Sequence, residues 1–106
     1  MDRKFVESLG WEYGDLWANR EFFHYGNFTI MEHNCDWSVV KGGDNYFIEG
    51  LDEEMLTEYT NLIKAYYTVC NDPENHTLAE YWKAVEGIGK FCKKYGYNEE
   101  EEELDL

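Results

Sequence analysis

Three His and three Cys are the residues with which this chain could bind a metal or attack an electrophile. His24 and the run His33-Asn34-Cys35 form one local group, and Cys70 and His76 flank a loop. Zinc sites usually combine two close ligand pairs at preferred spacings. Neither group has them, so no metal and no cofactor is expected, and surface His with small core Cys is the plain reading. A Cys–His nucleophile pair can be distant in sequence. Cys70 and Cys92 fall on apolar helix faces, a setting that raises a thiol pKa. Cys35 sits in a turn and is the better nucleophile candidate. Carboxylates are too numerous to single out a catalytic pair. Gly42-Gly43-Asp44 reads as a hairpin turn, without the pattern of a phosphate-cradling loop. No set of nucleophile, base and orienting group assembles, so an enzyme is not expected.

Charge is the stronger chemical signal. Nine Lys and Arg face 23 Asp and Glu, a net of −14 on 106 residues. The terminal run Glu99, Glu100, Glu101, Glu102, Glu103 with Asp105 supplies −6 of this, so residues 1–98 keep −8. Acidic chains that stay disordered are poor in apolar bulk; this one is 43% hydrophobic and 18% aromatic and is expected to fold. A field of this sign opposes nucleic-acid phosphates and acidic membranes and favours basic protein surfaces. The partner-binding candidates are Asp52, Glu53, Glu54 and Glu58, then Asp72 and Glu74, then Asp36, Asp44 and Glu49 at hairpin ends, and Glu99 to Glu103 in the tail. The competing reading of the first group is ordinary capping at a helix start. Lys83, Lys90, Lys93 and Lys94 interrupt the acidity, and the tail is expected to fold back toward the last three of them.

The elements that must position these groups follow from periodicity. Asp2 to Leu9 reads as a short helix capped by Asp2 and ended by Gly10. Trp11 to Arg20 reads as irregular, since Gly14 interrupts its apolar pattern; Trp11 and Trp17 are expected to form a lid over the core. Residues 21–49 read as an antiparallel meander with Gly26-Asn27 as a two-residue turn, Phe28 and Ile30 on one face, and Trp37 and Val39 inside. From Leu51 the period becomes helical. Met55, Tyr59, Leu62, Tyr66 and Val69 mark one stripe, widened by Leu56, Ile63, Tyr67 and Cys70, with Asp52 as N-cap. Pro73 breaks this helix. Thr77 and Glu80 form a capping box for a last helix to about Tyr95, with Leu78, Tyr81, Trp82, Val85, Ile88, Phe91, Cys92 and Tyr95 facing inward.

The predicted fold is α+β: a short N-terminal helix, a three- to four-stranded antiparallel sheet, then two C-terminal helices packed on one face. Residues 1–98 form one domain and 99–106 an acidic tail, possible as a short docked helix anchored by Leu104 and Leu106. No membrane span and no signal peptide are visible, so a cytoplasmic setting is expected.

In its small size, its folded aromatic body and its −14 charge, the chain resembles phage-type anti-defence proteins, the DNA-mimicking anti-restriction and anti-CRISPR inhibitors. The resemblance implies a stoichiometric inhibitor acting in a phage-infected bacterial host. Its Asp and Glu carboxylates would stand in for phosphates in the basic groove of a restriction enzyme or CRISPR effector nuclease. The alternative is a general protein-interaction module that uses exposed aromatics, with acidity serving solubility.

Overall fold

The computed structural model describes residues 1–40 and 46–98. Helix α1 (Arg3–Ser8) starts where the Asp2 side chain accepts the Phe5 N–H at 2.9 Å. Strands β1 (Glu12–Trp17), β2 (Arg20–Tyr25), β3 (Phe28–His33), β4 (Asp36–Val39) and β5 (Tyr46–Glu49) follow as an antiparallel meander. Helix α2 (Glu53–Asn71), a 3-10 turn at Pro73–Asn75 and helix α3 (Leu78–Tyr95) come next. The two-residue β6 (Tyr97–Asn98) pairs back onto β5. The class is α+β, as the sequence predicts, but the main sheet has five strands.

The extra strand is the segment read as irregular. Gly14 does not end the pairing; it sits in a bulge where the register with β2 shifts between Tyr13 and Asp15. A bulge keeps a strand paired while adding one residue to it. Ala18 and Asn19 then turn the chain with φ of 52° and 64°. Asn34 and Cys35 do the same at 51° and 67°. Both are two-residue turns with positive φ at both centres, the form that matches strand twist. Gly26-Asn27 makes the third, as the sequence indicates, with the positive φ on Gly26.

Cross-strand register sorts the side chains onto two faces. Phe23, Ile30, Val39 and Ile48 align across four strands and are buried. They join Val6, Trp11, Trp37, Leu56, Tyr59, Ile63 and Phe91 in one core. Both long helices therefore cover this face. α2 lays Leu56, Tyr59, Thr60 and Ile63 onto it. α3 meets α2 where Tyr59 stacks on Phe91 with ring centroids 4.9 Å apart. Asp52 caps α2 through the Met55 N–H, and Thr77 with Glu80 caps α3, both as predicted.

Several side chains depart from expectation. Trp11 is a lid residue, buried with its indole N–H donated to Thr60 Oγ1 at 2.9 Å. Trp17 is not; it is 68% exposed. Leu78 and Trp82, read as inward, are also exposed. Cys35 and Cys70 are exposed rather than core residues, and Cys92 is half-buried. The Gly42-Gly43-Asp44 turn and the docked tail with Leu104 and Leu106 lie outside the described residues.

Candidate functional site

The topology gathers acidic side chains at one end of the molecule. The Ala18-Asn19 and Asn34-Cys35 turns lie at the same end of an antiparallel meander, and so does the exit of β5. The Gly26-Asn27 turn lies at the other end. There the Asn27 N–H donates to Tyr67 Oη at 2.8 Å, far along α2. α2 begins four residues after the last residue of β5, and the Leu51 N–H donates to Trp37 O at 2.9 Å beside it. Asp36 at the start of β4, Glu49 at the end of β5, and Asp52, Glu53 and Glu54 at the head of α2 therefore share this end.

Asp36 and Glu49 are exposed and line an open cavity of about 530 Å³ on the uncovered sheet face. Arg20, Met31, His33, Ser38 and Gly50 complete its walls. Arg20 is not a sequence candidate, and His33 is one only as a metal ligand, not as part of a partner-binding surface. The signal was present in the alternation of β2 and β3, which sets both on the face opposite Phe23 and Ile30. Glu53, Glu54 and Glu58 line a second, shallower groove of about 600 Å³ with Phe5, Thr57 and Asn61. Capping occupies only part of this group: the Asp52 carboxylate accepts the Met55 N–H at 2.8 Å, whereas Glu53 and Glu54 are exposed.

The acidic end has a basic border. The Tyr95 hydroxyl donates to Glu58 Oε2 at 3.2 Å. Lys94 lies 4.8 Å from the Tyr95 ring centre. Its pKa is raised above the ordinary lysine value, first by the Tyr95 hydroxyl and then by the nearby Glu58 and Glu54 carboxylates. Lys90 pairs with Glu86 at 2.9 Å on its own helix, and this holds Glu86 below the usual carboxylate value. The expected contact of the tail with these lysines lies outside the described residues, as do Asp44 and Glu99 to Glu103.

Asp72 and Glu74 belong elsewhere. The 19 residues of α2 separate them from its head by about 28 Å at 1.5 Å per residue. Asp72 is committed locally, with both carboxylate oxygens accepting from Asn75 Nδ2 at 3.1 and 2.9 Å. His76 Nδ1 lies 2.6 Å from Glu80 Oε2, and this contact is the main cause that lowers the Glu80 pKa.

The Cys and His side chains stay dispersed. His24 Nδ1 bonds to Thr29 Oγ1 at 2.9 Å. Cys35 uses its backbone, donating N–H to Glu32 Oε1 at 2.7 Å. The Tyr66 hydroxyl bonds to Cys70, which with burial pushes its pKa up to about 12. Among the described residues no group of three His, Cys, Asp or Glu is arranged to hold a metal ion, and no helix is long and apolar enough to cross a membrane. No family model, curated protein or solved structure matches the chain, so its candidate surfaces are the acidic end and the bare sheet face that its own geometry defines.

Proposed function

We propose that the chain is a small, cytoplasmic, protein-binding inhibitor. It occupies a basic nucleic-acid groove of a partner, such as a restriction enzyme or CRISPR effector nuclease. The observation that supports this reading is that the strand and helix order brings Asp36, Glu49, Asp52, Glu53 and Glu54 to the same end of the fold, with Asp36 and Glu49 lining one cavity and Glu53, Glu54 and Glu58 another. From Glu53 and Glu54 to Glu58 the helix rises roughly 6–8 Å, about two phosphate steps of one DNA strand. Arg and Lys side chains that grip phosphate form charge-assisted hydrogen bonds to carboxylates equally well. Exposed carboxylates of a folded body hold their places without the ordering cost of a free acidic segment.

The test is competition. A restriction endonuclease and a CRISPR effector nuclease are each assayed for duplex cleavage with the chain added at increasing ratios. The expected result is loss of cleavage near a 1:1 ratio with at least one of them, relieved by excess duplex and by salt. The variant Glu53→Gln/Glu54→Gln/Glu58→Gln should inhibit at least tenfold more weakly, since each lost charge-assisted contact is worth about 1.5–3 kcal/mol. Unchanged cleavage with both enzymes, or inhibition indifferent to the three Gln substitutions, overturns the reading.

A further inference from the structure

β1 ends the sheet, and among the described residues no strand pairs with its outer side. All six of its residues are exposed, including Leu16 at 62% and Trp17 at 68%. A large indole and a leucine this bare on an edge strand are a liability that proteins usually blunt. Beside them lies a cavity of about 420 Å³ lined by Asp15, Leu16, Trp17, Phe22 and His24. β1 carries Glu12 and Asp15 and no Lys or Arg.

We propose that the free edge of β1, with the cavity beside Trp17, docks an extended basic segment of a partner protein. Charge selects the occupant. A second copy of the chain would bring Glu12 and Asp15 against their own kind and set −14 against −14. The same carboxylates complement an Arg- or Lys-bearing strand. The incoming backbone adds to the sheet by main-chain hydrogen bonds. One basic side chain lays its stem along Phe22, on the face that Asp15 and Trp17 share, and sets its charge between the Asp15 carboxylate and the Trp17 ring face. The bulge at Gly14 fixes the register. The His24 ring fills the space that a Cβ at Gly14 would take, and the run beyond the bulge, Asp15–Trp17, is the one offered for pairing.

This docking site shares with the proposed function only the sign of the partner's charge, and the two fail separately. The probe is a ten-residue peptide alternating Arg and Val. Controls are the same peptide with Glu for Arg, and an Arg peptide of equal charge with two central Pro residues that cannot pair as a strand. Calorimetry gives affinity and amide hydrogen exchange gives location. The expected result is binding of the Arg–Val peptide alone, with slowed exchange at residues 12–17. Asp15→Asn/Trp17→Ala should weaken it about tenfold or more. Both positions are exposed, and Asp15→Asn alone gives a milder step if the double variant unfolds. The triple Gln variant at the head of α2 should bind the peptide as well as the parent does. No binding, equal binding of the Pro peptide, protection at the head of α2 instead of β1, or self-association through β1 each overturns the proposal.

Discussion

Four residues other than glycine hold positive φ in the described chain, and all four sit at the centres of two hairpin turns. Asn19 and Asn34 tolerate that region; Ala18 and Cys35 do so at a cost of about 1–2 kcal/mol each. Cys35→Gly, which restores the favoured Asn-Gly pair, should therefore stabilise the fold by about 0.5–1 kcal/mol, read as a higher urea midpoint with an unchanged slope. Ala18→Gly should act in the same direction. This also explains what the sequence concealed. Gly26-Asn27 announces its turn, whereas Gly14 inside β1 reads as a break in the sequence, and Ala18-Asn19 carries no glycine to announce the turn that pairs β1 with β2. Glu80 supports a second expectation. Its folded pKa is lowered, by His76 first and the Thr77 N–H next. The unfolded chain therefore takes up the proton first as pH falls, and the stability that Glu80 contributes is present above its ordinary carboxylate value and lost as pH drops through the lowered one. In thermal melts between pH 6 and 3, the gap between the parent and Glu80→Gln should shrink toward the acid end. A gap that stays constant would contradict this account.

Elements are fixed to one another by a few polar contacts set in an aromatic core. The clearest is Trp11 to Thr60, which ties the approach to β1 onto the buried face of α2. Thr60 Oγ1 accepts the indole N–H and donates to Leu56 O at 2.7 Å. Thr60→Val keeps the volume but leaves a buried indole N–H without its acceptor, and should cost about 1–3 kcal/mol by chemical denaturation. Tyr67→Phe, which strips the acceptor from the Gly26-Asn27 turn at a more open site, should cost less, about 0.5–1.5 kcal/mol. The apolar stripe of α2 was legible because the helix lies along the sheet for much of its length. The stripe of α3 misled because periodicity reports a face without saying what covers it. Phe91, in the second half of α3, is its buried residue. The first turns rest on α2 instead, with Tyr81 centred 6.1 Å from Tyr66, and Leu78 and Trp82 are left in solvent. The acidic candidates divide in the same manner. The head of α2 and the β5 exit are readable as charged positions, but the meeting of the β5 exit with Asp36, and the entry of Arg20 and His33 beside these two, depend on hairpin register.

At the scale of the whole molecule, −14 charges on 106 residues must repel one another in the folded state. Little within the described residues offsets this. The ion pairs there are Arg3–Glu7, His76–Glu80 and Lys90–Glu86, each between residues four apart on or beside a single helix. Exposed pairs of this kind contribute little, and salt weakens them. Repulsion between unpaired carboxylates at the head of α2 and along β1 extends farther, over about 10 Å at 0.1 M salt and about 3 Å at 1 M. The compact state gathers these charges more closely than the unfolded chain does, so screening relieves more repulsion than it removes attraction. The melting temperature should accordingly rise as sodium chloride increases from 50 to 500 mM. Chloride is the right anion, because sulfate would raise stability by strengthening apolar burial and mask the cause. The triple variant Glu53→Gln/Glu54→Gln/Glu58→Gln should melt higher than the parent at 50 mM and approach it at 500 mM. Convergence of the two curves identifies crowded carboxylates as the cause; curves that stay parallel across the range would mean that the head of α2 carries no net repulsion. The same salt that steadies the free protein would weaken the proposed binding of a basic partner, so stability and binding should move in opposite directions along one titration.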